Sequence, residues 1–162
     1  MEFNASRSSC LLLVVGSILI VDGQVQECPE DPTIQGYTTI TAMNADMQAE
    51  LEAINNGQAP QPGYTYTLCP DTAFDTTSTP LLPVLNNITF VCGATGSSAS
   101  NCVLFGGDEQ IRIEDSTVES YPLQQVSFSG LSMANFTGTA VNAAAGTTTT
   151  ASFNDVDFQV SP

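Results

Sequence analysis

The residue types that carry most enzyme chemistry are missing from this chain. Its 162 residues include no histidine and no lysine, and the only basic side chains are Arg7 and Arg112. Serine or cysteine nucleophiles activated by histidine, lysine Schiff bases and histidine-rich metal sites are therefore excluded. Carboxylate chemistry remains. Asp155 and Asp157, in the stretch NDVDF, flank one apolar residue, so on a straight strand both face outward with their roots about 6.5 Å apart, two strand rises. That spacing falls near the ~6.5–9.5 Å between the carboxyl groups of an inverting glycosidase, and the same pair is a weak Ca²⁺ candidate. The positions twenty-five residues earlier are Gly130 and Ser132, which neither raise a carboxyl pKa nor bind a charged sugar, so a solvated acidic face is the expectation. Arg112, in QIRIED, is the candidate base for β-elimination on an acidic polysaccharide. With Ile111 and Ile113 turned inward it faces out beside Glu114, and an exposed ion pair with Glu114 or Asp108 is expected. There is no tryptophan to stack on a sugar ring, which leaves Tyr64, Tyr66 and Tyr121.

The element that precedes these residues is a targeting segment. Cys10–Val21 is an apolar run of twelve residues, too short for the about 20 that a bilayer span needs. A polar stretch with Arg7 comes before it, and Val21 and Gly23 suit cleavage. Residues 1–23 read as a secretory signal peptide. Its removal leaves one domain of 139 residues, with fifteen acids against Arg112 alone and a net charge of about −14. Such a surface repels phosphate backbones and anionic lipid, so no nucleic-acid or membrane-surface partner is expected.

Four cysteines remain, an even number in a chain bound for an oxidising compartment. Of the three possible pairings, Cys92–Cys102 with Cys28–Cys69 is preferred. The first closes the small-residue loop GATGSSASN, and the second ties the N-terminal arm to the first strand. Sequons at Asn87 and Asn135 offer glycosylation sites where the asparagine faces solvent.

Residues 24–63 form an arm and one amphipathic helix, about 42–56. Met43, Met47, Leu51 and Ile54 recur at helical spacing, Thr41 is placed to cap the start, and Gly57 suits the left-handed position after the end. From Tyr64 to residue 162 the pattern is β: YTYTL, NITFVC, CVLF, QIRI, QVSF, TAV and ASF, each bounded by turn residues. VSFSGLSMANF, from Val126, returns as ASFNDVDFQV, from Ala151. In both copies the apolar residues stand at i, i+3 and i+5, which implies a bend between two short strands at matched positions. Stacked coils of a solenoid explain such matching, because each residue lies on its counterpart one turn away. Leu68 lies twenty-two residues before Phe90, and Phe90 thirty-eight before Phe128. The longer interval becomes one coil if GATGSSASN and residues 115–124 are loops thrown outward. A β-sandwich is the structural alternative. The run Thr147–Thr150 invites an ice-binding reading, but no second threonine rank appears at coil spacing.

The order of helix MNADMQAELEAINNG, strand YTYTLCPDTAFD, then NITFVCG, NCVLFGGDEQIRI, VSFSGLSMANFTGTAV and ASFNDVDF resembles the secreted right-handed β-helix proteins of the pectin-lyase-like superfamily, of the kind found in unicellular algae. The resemblance covers nearly the whole chain after residue 23. It implies an all-β, right-handed parallel β-helix capped by the one α-helix, and leaves activity open. The expected function is a secreted or cell-surface module, non-catalytic and polysaccharide-associated. The alternative is a lyase or glycoside hydrolase on acidic polysaccharide, with Arg112, Asp155 and Asp157 as candidates. No cofactor other than weak Ca²⁺ is expected. The last coil lacks a polar cap in the sequence, so the chain is expected to be the N-terminal part of a longer protein, or to self-associate there.

Overall fold

A computed structural model describes residues 25–114, 125–143 and 149–159. The expected signal segment, the loop 115–124 with Tyr121, and Thr147 and Thr148 lie outside the described residues. Among the described residues the secondary structure is mostly β-strand with one α-helix.

Two short antiparallel strands, β1 (Gln26–Glu27) and β2 (Gln35–Gly36), begin the fold. Helix α1 (Ile40–Asn55) follows. It starts two residues earlier than its apolar pattern indicates. Thr39, rather than Thr41, is the N-cap, and its Oγ1 accepts the Ala42 N–H at 3.2 Å, because Ile40 is already drawn into the core. Met43, Met47 and Leu51 are buried as their spacing requires, and Gly57 takes the left-handed conformation after the helix, φ 99°. Asn44 pins the helix to the body: its amide donates to the Pro80 carbonyl at 2.9 Å and its oxygen accepts the Leu82 N–H at 3.0 Å.

The remaining strands are β3 (Tyr64–Leu68), β4 (Ala73–Asp75), β5 (Ile88–Cys92), β6 (Cys102–Phe105), β7 (Glu109–Ile113), β8 (Gln125–Ser129), β9 (Leu131–Ala134), β10 (Thr139–Ala143), β11 (Thr150–Asn154) and β12 (Asp157–Gln159). They form three parallel sheets in the orders β11-β8-β5-β3, β12-β9-β6-β4 and β10-β7, the last extended by a bridge from Leu81 to Ile111. Successive stretches of chain visit these sheets in the same order. The repeat is visible residue by residue: Ser127 faces Ser152, Phe128 faces Phe153 and Met133 faces Phe158.

The expected bend has a backbone cause. Asp71, Asn101, Gly130 and Asp155 all have φ between 51° and 74°, and each stands two residues before one of the mutually aligned positions Ala73, Val103, Ser132 and Asp157. One left-handed residue per pass turns the chain from the first sheet to the second, and Asn, Asp and Gly are the residues that tolerate it.

Inside, an aromatic column runs Tyr37, Tyr66, Phe90, Phe128, Phe153 with ring centroids 5.2–5.9 Å apart. The column corrects one alignment. Phe90 is faced by Tyr66, twenty-four residues earlier, while Leu68 faces Cys92. Alternation along β3 turns Tyr66 inward together with Leu68, and it is the tyrosine that stacks on Phe90 where the leucine was expected. At the other side of the sheets, β11 and β12 are outermost strands, and Phe153 and Phe158 are 40% and 47% exposed.

Both disulfides follow the preferred pairing, Cys28–Cys69 and Cys92–Cys102. Gly36 makes room for the first, since a Cβ there would stand 2.8 Å from the Thr67 carbonyl and 3.1 Å from the Cys28 sulfur. Two disulfides fit folding in an oxidising environment. Among the described residues no helix is long and apolar enough to cross a membrane.

The loop between Cys92 and Cys102 does not point outward as expected. It lies along the sheet corner as a strap. Ser129 Oγ donates to the Gly96 carbonyl at 2.9 Å, and the Ser98 N–H donates to Asp155 Oδ2 at 2.7 Å. The strap can descend this far because Gly130 beneath it has no side chain: a Cβ there would lie 2.5 Å from the Gly96 carbonyl carbon.

Candidate functional site

The acidic pair NDVDF is not a pair on one strand face. Asp155 sits in the left-handed corner between β11 and β12, φ 52°, whereas Asp157 begins β12. The two-strand-rise spacing therefore does not apply. The Asp155 carboxylate is occupied by the strap, and the backbone N–H of Ser98 holds its carboxyl below the usual carboxylate range. That is the opposite of the shift a general acid requires. Asp157 accepts from Gln159 Nε2 at 3.0 Å. Among the described residues no group of three or more His, Cys, Asp or Glu side chains is placed to hold a metal ion.

Arg112 stands on β7 and faces outward, as the alternation predicts. Its guanidinium bonds Glu109, with Glu114 3.9 Å away, and Asp108 is not its partner. Glu109 in turn accepts from Asn142 Nδ2 at 2.9 Å, on the neighbouring strand β10. Glu109 thus links the guanidinium on its own strand to Asn142 across the strand pair, so Arg112 is engaged in a structural contact. Asn87 and Asn135 are both exposed with φ 53° and 55° at turns beside strands.

The structure brings together a different set, at the junction of α1 and β3. A cleft of about 290 Å³ opens there, lined among others by Gln35, Tyr37, Asp46, Glu50, Gln61 and Tyr66. Two elements build it. Asp46 and Glu50 lie four apart on α1, beside the buried Met43–Met47–Leu51 stripe, so both project from the flank of the helix toward the first sheet. Alternation in YTYTL turns the rings of Tyr64 and Tyr66 into the core and leaves Thr65 and Thr67 facing out.

The hydroxyls of the buried tyrosines end at the carboxylates. Tyr37 donates to Asp46 Oδ2 at 2.8 Å, and Tyr64 donates to Glu50 Oε1 at 3.3 Å while accepting the Gln61 N–H at 3.0 Å. Burial, reinforced by Asp46, pushes the phenols of Tyr37 and Tyr66 far above their ordinary value, so they remain donors throughout the accessible pH range. The cleft therefore presents two carboxylates that accept from tyrosine hydroxyls, with glutamines and threonines around them. It is a polar, hydrogen-bond-accepting surface.

Tyr64 and Tyr66 were visible in the sequence as the aromatic residues suited to a sugar. Asp46, Glu50 and Tyr37 were not, although acids at i, i+4 on a helix flank followed by an alternating Tyr-Thr strand are the available signal. No protein-family model, curated protein or solved structure matches this chain.

Proposed function

We propose that this chain is a secreted, right-handed parallel β-helix module, capped at one end by α1, that attaches without catalysis to extracellular polysaccharide through the α1–β3 cleft. The observation that carries the reading is the division of labour among the polar side chains. Asp155 and Arg112, the residues whose types suited hydrolysis or elimination, are engaged in holding strap and strands. The polar groups around the cleft line open space instead. Three parallel sheets visited in one repeating order support the β-helix. The leader-like residues 1–23 and the two disulfides support secretion.

The test is retention of the oxidised protein on neutral, acidic and amino polysaccharides by affinity electrophoresis, with parallel assays on polygalacturonate and alginate in Ca²⁺ for unsaturated products and reducing ends. Retention without turnover is expected. Turnover abolished by Arg112→Ala or Asp155→Ala would overturn the reading in favour of a polysaccharide lyase or hydrolase.

A further inference from the structure

Cleavage of the leader-like segment would place a new charge at the α1–β3 cleft. Val25 lies in the cleft lining with Asp46 and Glu50. Hydrolysis after Gly23 makes Gln24 the first residue, and its Cα is about 3.8 Å from that of Val25, the fixed spacing across a trans peptide. Three contacts hold the arm at this place. Gln26 and Glu27 pair antiparallel with Gly36 and Gln35, the Gln26 side-chain amide donates to Thr38 Oγ1 at 2.7 Å, and the Cys28–Cys69 disulfide joins the arm to the residue after β3.

The charge itself follows from the bond that breaks. In the precursor the Gln24 nitrogen is a neutral peptide amide. Water adds across the Gly23–Gln24 bond under a leader peptidase of the export route, Gly23 departs as a carboxylate, and the released amine holds three protons. An unperturbed α-amine titrates at about 7.7–8.0, so at neutral pH it is mostly cationic.

Its partners are already in place. Asp46 and Glu50 are half-buried one helical turn apart, and each accepts one tyrosine hydroxyl. A carboxylate has about four lone-pair sites, so both can accept further donors, and an ammonium brings three. The other ionisable side chains in the lining are the phenols of Tyr37, Tyr64 and Tyr66, while Glu27, on the arm itself, is exposed. No side chain competes for the two carboxylates as a cation. The sequence has no lysine, Arg7 belongs to the leader-like segment, and Arg112 bonds Glu109 on β7.

We infer that removal of the leader latches the chain's own N-terminus into the α1–β3 cleft, with the Gln24 ammonium paired to Asp46 and Glu50 so that the arm is tied to the helix. The latch forms only in the exported chain, and the carboxylates of its cleft are partly neutralised from within. Pairing also protects the terminus. A free N-terminal glutamine amine attacks its own side-chain Cδ, ammonia leaves and an uncharged lactam remains, but only the unprotonated amine is a nucleophile. The inference rests on the secreted reading above and goes beyond it.

Because the chain has no lysine, an amine-directed acetylating ester has a single amine to modify. The full chain, leader included, is expressed in a secreting eukaryotic host, and the product's intact mass and first residue are determined; a free Gln24 is expected. The protein is then acetylated at pH 7, folded and in urea, and the appearance of the singly acetylated product is timed by mass spectrometry. The folded amine should react at least about tenfold more slowly, the factor for a pKa raised by one unit. Asp46→Asn and Glu50→Gln should each speed the folded reaction at least about threefold. Glu52→Gln, which removes an exposed acid of α1 outside the lining, should leave it within about 1.5-fold. Thermal melts of each variant establish that it is folded, and each cleft variant is read independently, so loss of one to misfolding leaves the other decisive.

Equal acceleration by Glu52→Gln would reduce the effect to the field of an acidic protein and overturn the latch. Equal rates in the folded and unfolded chain, or slow acetylation that persists in both cleft variants, would overturn it too. A first residue other than Gln24, or Gln24 recovered as the lactam, would remove the latch and leave the proposed function standing. A chain retained in the cell with its leader attached would instead overturn the secreted reading on which both rest.

Discussion

Replacing Gly130 by alanine probes how the strap is held. Gly130 has φ 74°, and the added Cβ would meet the backbone of the strap on three atoms, 2.5 Å from the Gly96 carbonyl carbon and 2.7 Å from both the Gly96 oxygen and the Ser97 carbonyl carbon. These are main-chain atoms that no rotamer change can move aside. The left-handed conformation alone costs an alanine about 1–2 kcal/mol. Lifting the strap forfeits the Ser129–Gly96 hydrogen bond, about 1 kcal/mol, and the overpacking strain that remains is about 1–2 kcal/mol. The total is about 3–5 kcal/mol, a large part of the stability of a domain of this size. Gly57→Ala is the matched control. Its φ is 99°, but nothing lies within 4 Å of the added carbon, so conformational strain acts alone, about 1–2 kcal/mol. Urea unfolding followed by far-UV circular dichroism, with the disulfides intact, measures both. If Gly130→Ala loses no more than Gly57→Ala, the strap does not rest on this corner and the reasoning fails.

The disulfides rank by the chain they close. Cys28–Cys69 spans 41 residues and Cys92–Cys102 spans 10, so removing the first should cost about 4 kcal/mol and the second about 3; the reverse order in denaturant titrations of the double-alanine variants would refute the loop-entropy argument. Asp31 and Asp75 are held below the ordinary carboxyl value by the hydroxyl and backbone N–H of Thr33 and Thr77, as Asp155 is by the Ser98 N–H. Folded values below unfolded ones give stability that is present above about pH 3.9 and lost as pH falls through the folded values. Thermal melts should therefore decline below about pH 4, and Asp155→Asn should flatten part of that decline; an unchanged acid limb would contradict the Ser98 contact. Phe128→Ala, within the aromatic column, should cost about 3–5 kcal/mol, while Phe153→Ala, at a 40% exposed ring, should cost about 1–2. Equal losses would mean that the column does not end where the exposure indicates.

How much could be read beforehand depends on the range of the interactions involved. The twenty-five-residue repeat was legible because parallel stacking copies a local pattern, and the structure places Ser127 and Phe128 against Ser152 and Phe153. The Tyr66–Phe90 register was misplaced because Tyr66 and Leu68 share the inward face of β3, and spacing along the sequence does not say which of the two meets Phe90. The strap was misread as an outward loop for a related reason. Gly96 and Gly130 are thirty-four residues apart, and what matters is that both lack a side chain where they meet. Asp155 looked like half of a carboxylate pair because spacing along a sequence does not show a left-handed corner. The cleft was hidden because Asp46 and Glu50 have the spacing of any solvated helix face. Only the fold brings Tyr37, from before the helix, and Tyr64, from after it, to the same two carboxylates.

Heteronuclear NMR of the ¹⁵N-labelled, oxidised chain during titration with soluble oligosaccharides, neutral and amine-bearing, tests the central claim most directly. The account predicts shifts concentrated at Gln35, Asp46, Glu50, Gln61 and Thr65 with the ligand recovered intact by mass spectrometry. Shifts centred on Arg112 or Asp157, accompanied by shortened or unsaturated products, would contradict it.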